Sequence, residues 1–134
     1  MPHLGRQLRQ VVLISGDRES RIGFTRIARR WENVRLVVAE GATAGVRAVV
    51  SERPQLVVLD AQLPDTNALS TVSTLRKTSV ARRVPMVVIG TDGTGHEELR
   101  FLQVGADSYL TRPLDIEKVD QTALGWLEVG ALRP

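Results

Sequence analysis

The stretch Pro54-Gln-Leu-Val-Val-Leu-Asp60 decides the fold, because an unbroken apolar run ends there in a carboxylate. Short runs of this kind, without alternating polar residues, are typical of strands that are buried on both faces of a parallel sheet. A charge directly after such a strand is costly unless water or a partner stabilises it. The stretch therefore predicts a parallel sheet and marks Asp60 as a residue that requires an explanation.

Four further apolar runs predict the other strands, and they cover residues 11–14, 34–38, 86–89 and, more weakly, 108–110. Parallel strands need long connections, which are usually helices. The segments between the runs carry apolar residues at helical spacing. The apolar residues that mark the first four helices are Phe24, Ile27, Ala28 and Trp31, which form one stripe, and then Ala44, Val46, Ala48, Val49, Ala68, Leu69, Val72, Leu75, Leu99, Leu102 and Val104. In the fifth helix, Val119, Leu124 and Leu127 are predicted to face the sheet.

Strand and helix alternate five times, which predicts one doubly wound α/β domain over residues 1–134 with a core at about 10–130. Asp17 or Ser20 is predicted to cap the first helix, and Asp115 the last. In such sheets the functional crevice lies at the carboxyl ends of the strands. The residues that this rule selects are Ser15, Gly16, Asp17, Asp60, Ala61, Gly90, Thr91, Thr111 and Arg112.

The composition excludes several classes of protein. Without Cys, the chain has neither a disulfide framework nor thiolate chemistry. It shows no apolar signal core and no apolar run near the ~20 residues of a membrane span, so we expect a cytoplasmic protein without membrane contact. The formal net charge is +3. Its one arginine cluster, at residues 18–30, is interpreted as a solvated helix face, and a nucleic-acid partner is not expected.

Two motifs stand on the predicted strands in a characteristic order. The first is the strand that ends in Asp60, followed by Leu63-Pro64-Asp65, and the second is Gly105-Ala-Asp-Ser-Tyr-Leu-Thr-Arg-Pro113. With these motifs the chain, from residue 11 to about 130, resembles the receiver domain of bacterial response regulators in two-component signalling. The resemblance implies a flavodoxin-like fold, with five parallel strands in the order 2-1-3-4-5 and five helices.

The resemblance further implies that Asp60 is a phosphoacceptor and that Tyr109 is the switch aromatic of the last strand. Such domains hold Mg²⁺ with an acidic pair and neutralise the phosphoryl group with a Lys, which is general phosphoryl-transfer chemistry. Several of the corresponding positions are altered here. The acidic pair falls on Ser15 and Gly16, the Thr/Ser position on Gly90, the Lys position on Arg112 and a loop Gly on Ala68.

These substitutions predict an atypical receiver with a degenerate pocket. With only Asp17 and Asp60 as possible metal ligands, we expect weak or absent Mg²⁺ binding, no other cofactor and impaired phosphorylation. Because a guanidinium can hold a carboxylate, Arg112 is predicted to pair with Asp60. The resemblance also implies a cis bond between Arg112 and Pro113.

Residue 90 carries no hydroxyl that could follow a phosphoryl group. We therefore expect weak coupling between Asp60 and Tyr109, unless Thr91 takes over the missing role. This pattern favours a signalling module without enzyme activity that works through protein contacts.

The expected partner is a sensor kinase or another protein. A homodimer through the fourth helix, fifth strand and fifth helix is also expected, with Phe101 and Leu102 completing that surface. Two alternatives stay open: a conventional regulator in which Asp60 is phosphorylated with the help of Asp17 and Thr91, and a flavin- or nucleotide-binding domain of the same fold.

Overall fold

The computed structural model describes residues 7–132 and the side chains of residues 7–129. These residues form five strands and five helices that alternate along the chain. The strands are β1 (Arg9–Ile14), β2 (Val34–Ala39), β3 (Leu56–Asp60), β4 (Met86–Gly90) and β5 (Ser108–Thr111). The helices are α1 (Arg18–Ala28), α2 (Ala42–Glu52), α3 (Ala68–Arg76), α4 (His96–Val104) and α5 (Ile116–Leu132). The predicted alternation is confirmed.

The strands form one parallel sheet in the order β2-β1-β3-β4-β5, as predicted. Successive side chains of a strand point to opposite faces of a sheet. Val11 and Leu13 accordingly pack against α1 and α5, whereas Val12 and Ile14 pack on the face of α2, α3 and α4. Two apolar layers therefore cover the sheet, and the carboxyl ends of all five strands lie at one edge.

The helix starts follow the predicted capping chemistry. Asp17 is the N-cap of α1, and its carboxylate accepts a hydrogen bond from Ser20 N at 3.0 Å. Asp115 plays this role for α5, since its carboxylate accepts from Glu117 N at 2.9 Å. The predicted stripe of α1, from Phe24 to Trp31, is buried in the core. The Arg112–Pro113 bond is cis, as predicted.

Burial on both faces was a wrong prediction for the outer strands. β2 and β5 lie at the two edges of the sheet, so only the three inner strands are enclosed by helices on both sides. Val38 of β2 is 43% exposed. An edge strand has one lateral side without a neighbour and lies at the rim of the helical layers, and an apolar run does not reveal that position.

The predicted outer surface of α4 and the predicted inward face of α5 also need correction. Leu99 and Leu102 are exposed at 56% and 38%, and Phe101 is the buried residue of α4. Phe101 therefore does not belong to an outer contact surface. On α5, Leu124 is exposed, and the neighbouring Ala123 is buried instead. On α5 a small shift in phase rotates the apolar stripe, because each residue advances the helix by about 100°.

Candidate functional site

Three of the predicted site residues meet at the carboxyl edge of the sheet. Ser15 follows β1, Asp60 ends β3 and Arg112 follows β5. Their positions continue the alternation of Leu13, Val58 and Leu110, which face α1 and α5. The three side chains therefore converge on the same side of the sheet. Asp60 and Arg112 border a pocket of about 370 Å³ that Gln62, Leu63 and Pro64 close from the β3–α3 loop.

Asp60 is buried, with 2% of its side chain exposed, and it is fully engaged in hydrogen bonds. Its Oδ2 accepts from Ser15 Oγ at 3.1 Å and from Arg112 Nη1 at 3.3 Å. Its Oδ1 accepts from the backbone N–H of Gln62 at 3.1 Å. The Asp60 carboxylate at the end of β3 thus lies beside the Arg112 guanidinium, and the predicted Arg112–Asp60 pair is present.

Arg112 Nη1 has two further partners besides Asp60. It lies 3.1 Å from Asp17 Oδ2 and donates to Ser20 Oγ at 2.7 Å. One nitrogen of the guanidinium therefore contacts both carboxylates of the pocket.

Asp17 reaches the pocket from the β1–α1 loop while it caps α1. Its Oδ2 accepts from Ser20 Oγ at 2.7 Å and from Ser20 N at 3.0 Å. These two hydrogen bonds, with a smaller contribution from the Arg112 charge, lower the pKa of Asp17 below its ordinary value. Asp17 is therefore an acid of the site, but its oxygen is committed to the helix cap and to Arg112.

Gly16 stands where the resemblance implies an acid, and its surroundings leave no space for a side chain. A Cβ at this position would lie 2.8 Å from Pro64 Cδ, 2.9 Å from Pro64 Cγ and 3.1 Å from Glu40 O. Ser15 next to it is 1% exposed, and its carbonyl accepts from Arg21 Nη1 at 3.1 Å. The β1–α1 loop is therefore packed closely around a glycine and a buried hydroxyl.

The two carboxylates that could bind Mg²⁺ are already paired with Arg112. This ion takes near-octahedral oxygen coordination at about 2.0–2.1 Å and is usually bound through one or two carboxylates. Asp17 and Asp60 are the carboxylates here, and Arg112 lies against both. Among the residues whose side chains are described, no group of three or more His, Cys, Asp or Glu is arranged to hold a metal ion.

Gly90, Thr91 and Tyr109 form no hydrogen bond with Asp60 itself, and Gly90 O accepts from Arg112 N in the sheet. Thr91 is exposed. Tyr109 packs with the α2–α4 layer, on the opposite face of the sheet from Asp60. Its hydroxyl donates to Glu97 Oε1 at 2.5 Å and accepts from Asp92 N at 3.2 Å. Ala68, at the position of the usual loop Gly, is buried at the start of α3.

Sequence reasoning missed Ser20, Glu97 and Asp92 as participants. Ser20 had a local signal, because a hydroxyl three residues after an N-cap Asp is well placed to hydrogen-bond it. Glu97 and Asp92 had none, since their link to Tyr109 depends on how α4 packs over β5. Asp65 of the motif after Asp60 has a structural role, and its carboxylate accepts from Ala42 N and Thr43 N at the start of α2.

Some arginines of the cluster at residues 18–30 form ion pairs. Arg21 lies 3.5 Å from Glu40, and Arg30 forms two hydrogen bonds with Asp120 of α5. Trp31 Nε1 donates to the same Asp120 at 2.8 Å. The cluster thus links α1 to its neighbours in addition to carrying exposed charge.

In the part of the chain that the structure describes, no helix combines the length and the hydropathy of a membrane span.

A family model for the response regulator receiver domain matches residues 11–123. The KDP operon transcriptional regulatory protein KdpE of Escherichia coli is 30% identical over 105 residues, which are 78% of this chain and 45% of that protein. The probable transcriptional regulatory protein TcrX of Mycobacterium tuberculosis is 28% identical over 108 residues, 81% of this chain and 45% of that protein. The chain spans less than half the length of these relatives.

Solved structures agree with the observed fold. A putative response regulator from Chloroflexus aurantiacus superposes with a TM-score of 0.85 at 13% identity, over 91% of this chain and 99% of that one. The receiver domain of a sensor histidine kinase from Pseudomonas aeruginosa, solved with a magnesium ion in its active site cleft, superposes with a TM-score of 0.82 at 18% identity, over 90% and 98%. The family model over residues 11–123 and the identity with KdpE show that the chain belongs to the response regulator receiver domain family of two-component signalling.

Proposed function

We propose that this chain is an atypical receiver domain that signals through protein contacts, with Mg²⁺-dependent phosphorylation of Asp60 reduced or absent. The observation that supports this proposal is the position of Arg112 Nη1, 3.3 Å from Asp60 and 3.1 Å from Asp17. A built-in cation lies against the two carboxylates on which a divalent ion would depend. The domain has no catalytic turnover of an external substrate in this proposal.

The physical basis is competition between two cations for the same oxygens. A Mg²⁺ ion close to Arg112 would be repelled by the guanidinium and would also have to displace Asp17 from the α1 cap. Ser15 and Gly16 bring no carboxylate to offset that cost. Phosphorylation without the metal would lack the charge neutralisation on which this chemistry depends, although Arg112 supplies part of it.

The proposed partners are proteins. A sensor kinase or another signalling protein is the first, and a second copy of the chain through α4, β5 and α5 is the other. Leu99 and Leu102 of α4 and Leu124 of α5 are large apolar side chains that stay exposed on these helices. The described residues present no feature that favours flavin or nucleotide binding.

Labelling with acetyl phosphate and Mg²⁺ separates the atypical domain from a conventional phosphoacceptor. We expect little or no phosphoprotein for the wild type, in the range of Asp60→Asn, by intact-protein mass spectrometry. In parallel, the amide signals of Ala61 and Gln62 should not respond to millimolar Mg²⁺ in NMR spectra. Arg112→Lys is the informative variant, because it removes the guanidinium whose Nη1 contacts both acids, and we expect a gain in Mg²⁺ response.

Efficient labelling of the wild type that Asp60→Asn abolishes would contradict the proposal. It would favour the conventional alternative, in which Asp17 leaves the cap to hold the metal and Thr91 contacts the phosphoryl group. Asp17→Asn and Thr91→Val would then each lower the labelling, whereas Thr94→Val, in the same loop as Thr91, serves as the matched control.

A further inference from the structure

We propose that Gly90 and Glu97 fix Tyr109 in a single position, so that the surface of α4 and β5 does not respond to the state of Asp60. This inference does not depend on whether Asp60 is phosphorylated or binds a metal. It concerns a second cluster on the other face of the sheet.

The strand register brings Gly90 and Tyr109 to the same face. β4 pairs with β5 so that Val88 lies opposite Tyr109 and Gly90 lies opposite Thr111. Residues two apart on a strand share a face, so residue 90 is a diagonal neighbour of Tyr109. A long aromatic side chain at residue 109 extends far enough to lie over residue 90.

Gly90 is what makes this position of the tyrosine possible. An added Cβ on residue 90 would lie 2.7 Å from Tyr109 Cζ, still closer to the Tyr109 hydroxyl, and 2.5 Å from Glu97 Oε1. Real side chains do not approach so closely, and therefore any residue other than glycine would displace the phenol. The tyrosine fills the space that a side chain at residue 90 would occupy.

Two hydrogen bonds hold the phenol in that space. The Tyr109 hydroxyl donates to Glu97 Oε1 at 2.5 Å and accepts from Asp92 N at 3.2 Å. Asp92 in turn accepts from Glu97 N at 3.1 Å, so the loop, the first turn of α4 and the phenol form one network. Burial and the hydrogen bond to Glu97 raise the pKa of Tyr109, which keeps the hydroxyl protonated as a donor.

In the described part of the chain no side-chain hydrogen bond joins this network to Asp60, although the backbones of the two clusters meet where Arg112 N donates to Gly90 O at 2.7 Å. The hydrogen bonds of Asp60 go to Ser15, Gln62 and Arg112, and none of them involves Gly90 or Tyr109. A change at Asp60 therefore has no polar side chain through which to move the phenol. In consequence, a partner that contacts α4 and β5 meets one arrangement of this surface.

Tyr109 is the only tyrosine in the chain, so its ring signals in NMR spectra report on this site alone. We expect Asp60→Asn and Arg112→Gln to leave the ring signals of Tyr109 in place. Gly90→Ala should shift them and increase the exposure of the ring to a paramagnetic co-solute several-fold. Gly93→Ala is the matched control, since a Cβ there meets nothing within 4 Å, and it should behave like the wild type.

Glu97→Ala provides a second route to the same answer if Gly90→Ala does not fold. It removes the acceptor of the phenol and should also shift and expose the ring, whereas Glu98→Ala should not. Ring signals that move in Asp60→Asn as far as in Gly90→Ala would overturn the inference. Unchanged signals in both Gly90→Ala and Glu97→Ala would overturn it equally. The Mg²⁺ and phosphorylation experiments above do not bear on this result, so the two proposals fail separately.

Discussion

Arg112 is the residue on which the pocket depends, because one of its nitrogens contacts Asp60, Asp17 and Ser20 together. A guanidinium at this position has a different consequence from the smaller, more mobile ammonium of a Lys. Its planar, rigid fork keeps the charge and the donors in a defined place. A buried carboxylate beside it is stabilised as long as that cation stays.

The Asp60–Arg112 interaction should appear as coupling in a double-mutant cycle. Arg112→Gln leaves the buried charge of Asp60 without a cation and is expected to destabilise the domain by about 1–3 kcal/mol. Asp60→Asn should relieve most of that loss, so the two changes together should differ from their sum by about 1 kcal/mol or more. Urea denaturation of the four proteins measures the coupling. Additivity within about 0.5 kcal/mol would show that the pair does not contribute.

Asp17 makes the stability of the domain depend on pH. Its folded pKa lies below the ordinary value of 3.8, because the hydroxyl and the N–H of Ser20 and the charge of Arg112 favour the carboxylate. The stabilisation is therefore present above about pH 3.8 and is lost as the pH falls through the folded pKa. Asp17→Asn, which cannot ionise, should be less stable than the wild type at pH 7.

The difference between the wild type and Asp17→Asn should shrink as the pH is lowered from 5 towards 2. Denaturation curves recorded at each pH test this expectation. Glu128→Gln, at an exposed position of α5, is the control whose difference from the wild type should stay small throughout. A gap that stays constant down to pH 2 would mean that the Asp17 charge has no part in stability.

At the scale of the elements, glycines inside helices have opposite roles in α1 and α2. A Cβ at Gly23 of α1 would meet only Leu114 Cδ1, at 4.0 Å. At Gly45 of α2 it would lie 2.6–2.8 Å from three side-chain atoms of the fully buried Ile14. One glycine has room for a methyl group, and the other allows α2 to approach β1.

The two alanine substitutions should therefore change the free energy of unfolding with opposite signs. Gly23→Ala is expected to stabilise by about 0.5–1 kcal/mol through its higher helix propensity. Gly45→Ala is expected to destabilise by about 1–3 kcal/mol through overpacking against Ile14. Thermal and urea denaturation of the two variants against the wild type provide the test. If both substitutions changed the free energy of unfolding in the same direction, the close packing of α2 on β1 at Gly45 would be refuted.

Arg76 links α3 to two connections of the sheet. Its Nε donates to Gly105 O at 2.8 Å, its Nη1 to Ala81 O at 3.0 Å, and its Nη2 to Asp107 Oδ2 at 2.7 Å. Asp107 also accepts from Met86 N at 2.8 Å, so the arginine supports the starts of β4 and β5 together.

Arg76→Lys should cost about 2–4 kcal/mol of unfolding free energy, because an ammonium cannot reach all of these acceptors at once. Arg82→Lys is the matched control at an exposed position nearby and should stay within about 0.5 kcal/mol of the wild type. Because both substitutions keep a positive charge, the comparison by urea denaturation isolates the effect of the guanidinium geometry of Arg76. Equal stability of the two variants would contradict a structural role for Arg76.

At the scale of the whole molecule, the sheet divides the chain into two chemical surfaces. The pocket of Asp60 lies towards α1 and α5, and the cluster of Tyr109 lies towards α4. The exposed Leu99 and Leu102 are carried by α4, whose inner side holds Tyr109. A partner that binds through α4 would therefore contact a helix whose inner side is held by the hydrogen bond between Tyr109 and Glu97.

The proposed homodimer through α4, β5 and α5 makes a prediction at this scale. We expect the wild type to form dimers as concentration rises, and Leu102→Glu to stay monomeric, because a charge would replace an exposed apolar contact. Val50→Glu, at a 46% exposed position on α2, should dimerise like the wild type. Sedimentation velocity over a concentration series checks both. A monomeric wild type at all concentrations would exclude the dimer.

Local sequence patterns predicted most of the fold. The central apolar runs form the inner strands, and Asp17 and Asp115 cap α1 and α5 as predicted. These features depend on residues within a few positions of one another, and one sequence displays them directly. Phe101 and Leu124 were placed on the wrong side because helical phase depends on the layer against which each helix packs.

The sequence by itself determined a doubly wound parallel sheet with Asp60 at its carboxyl edge, since burial on both faces and helical spacing are written into runs of neighbouring residues. The pair of Asp60 with Arg112, 52 positions away, was predicted from the sequence. Only the tertiary structure decided that the same nitrogen of Arg112 also contacts Asp17, 95 positions away, and Ser20. The space over Gly90 is likewise filled by Tyr109 from the next strand. Such contacts arise from strand order and register, which bring distant side chains together, and no local pattern encodes which atoms then meet.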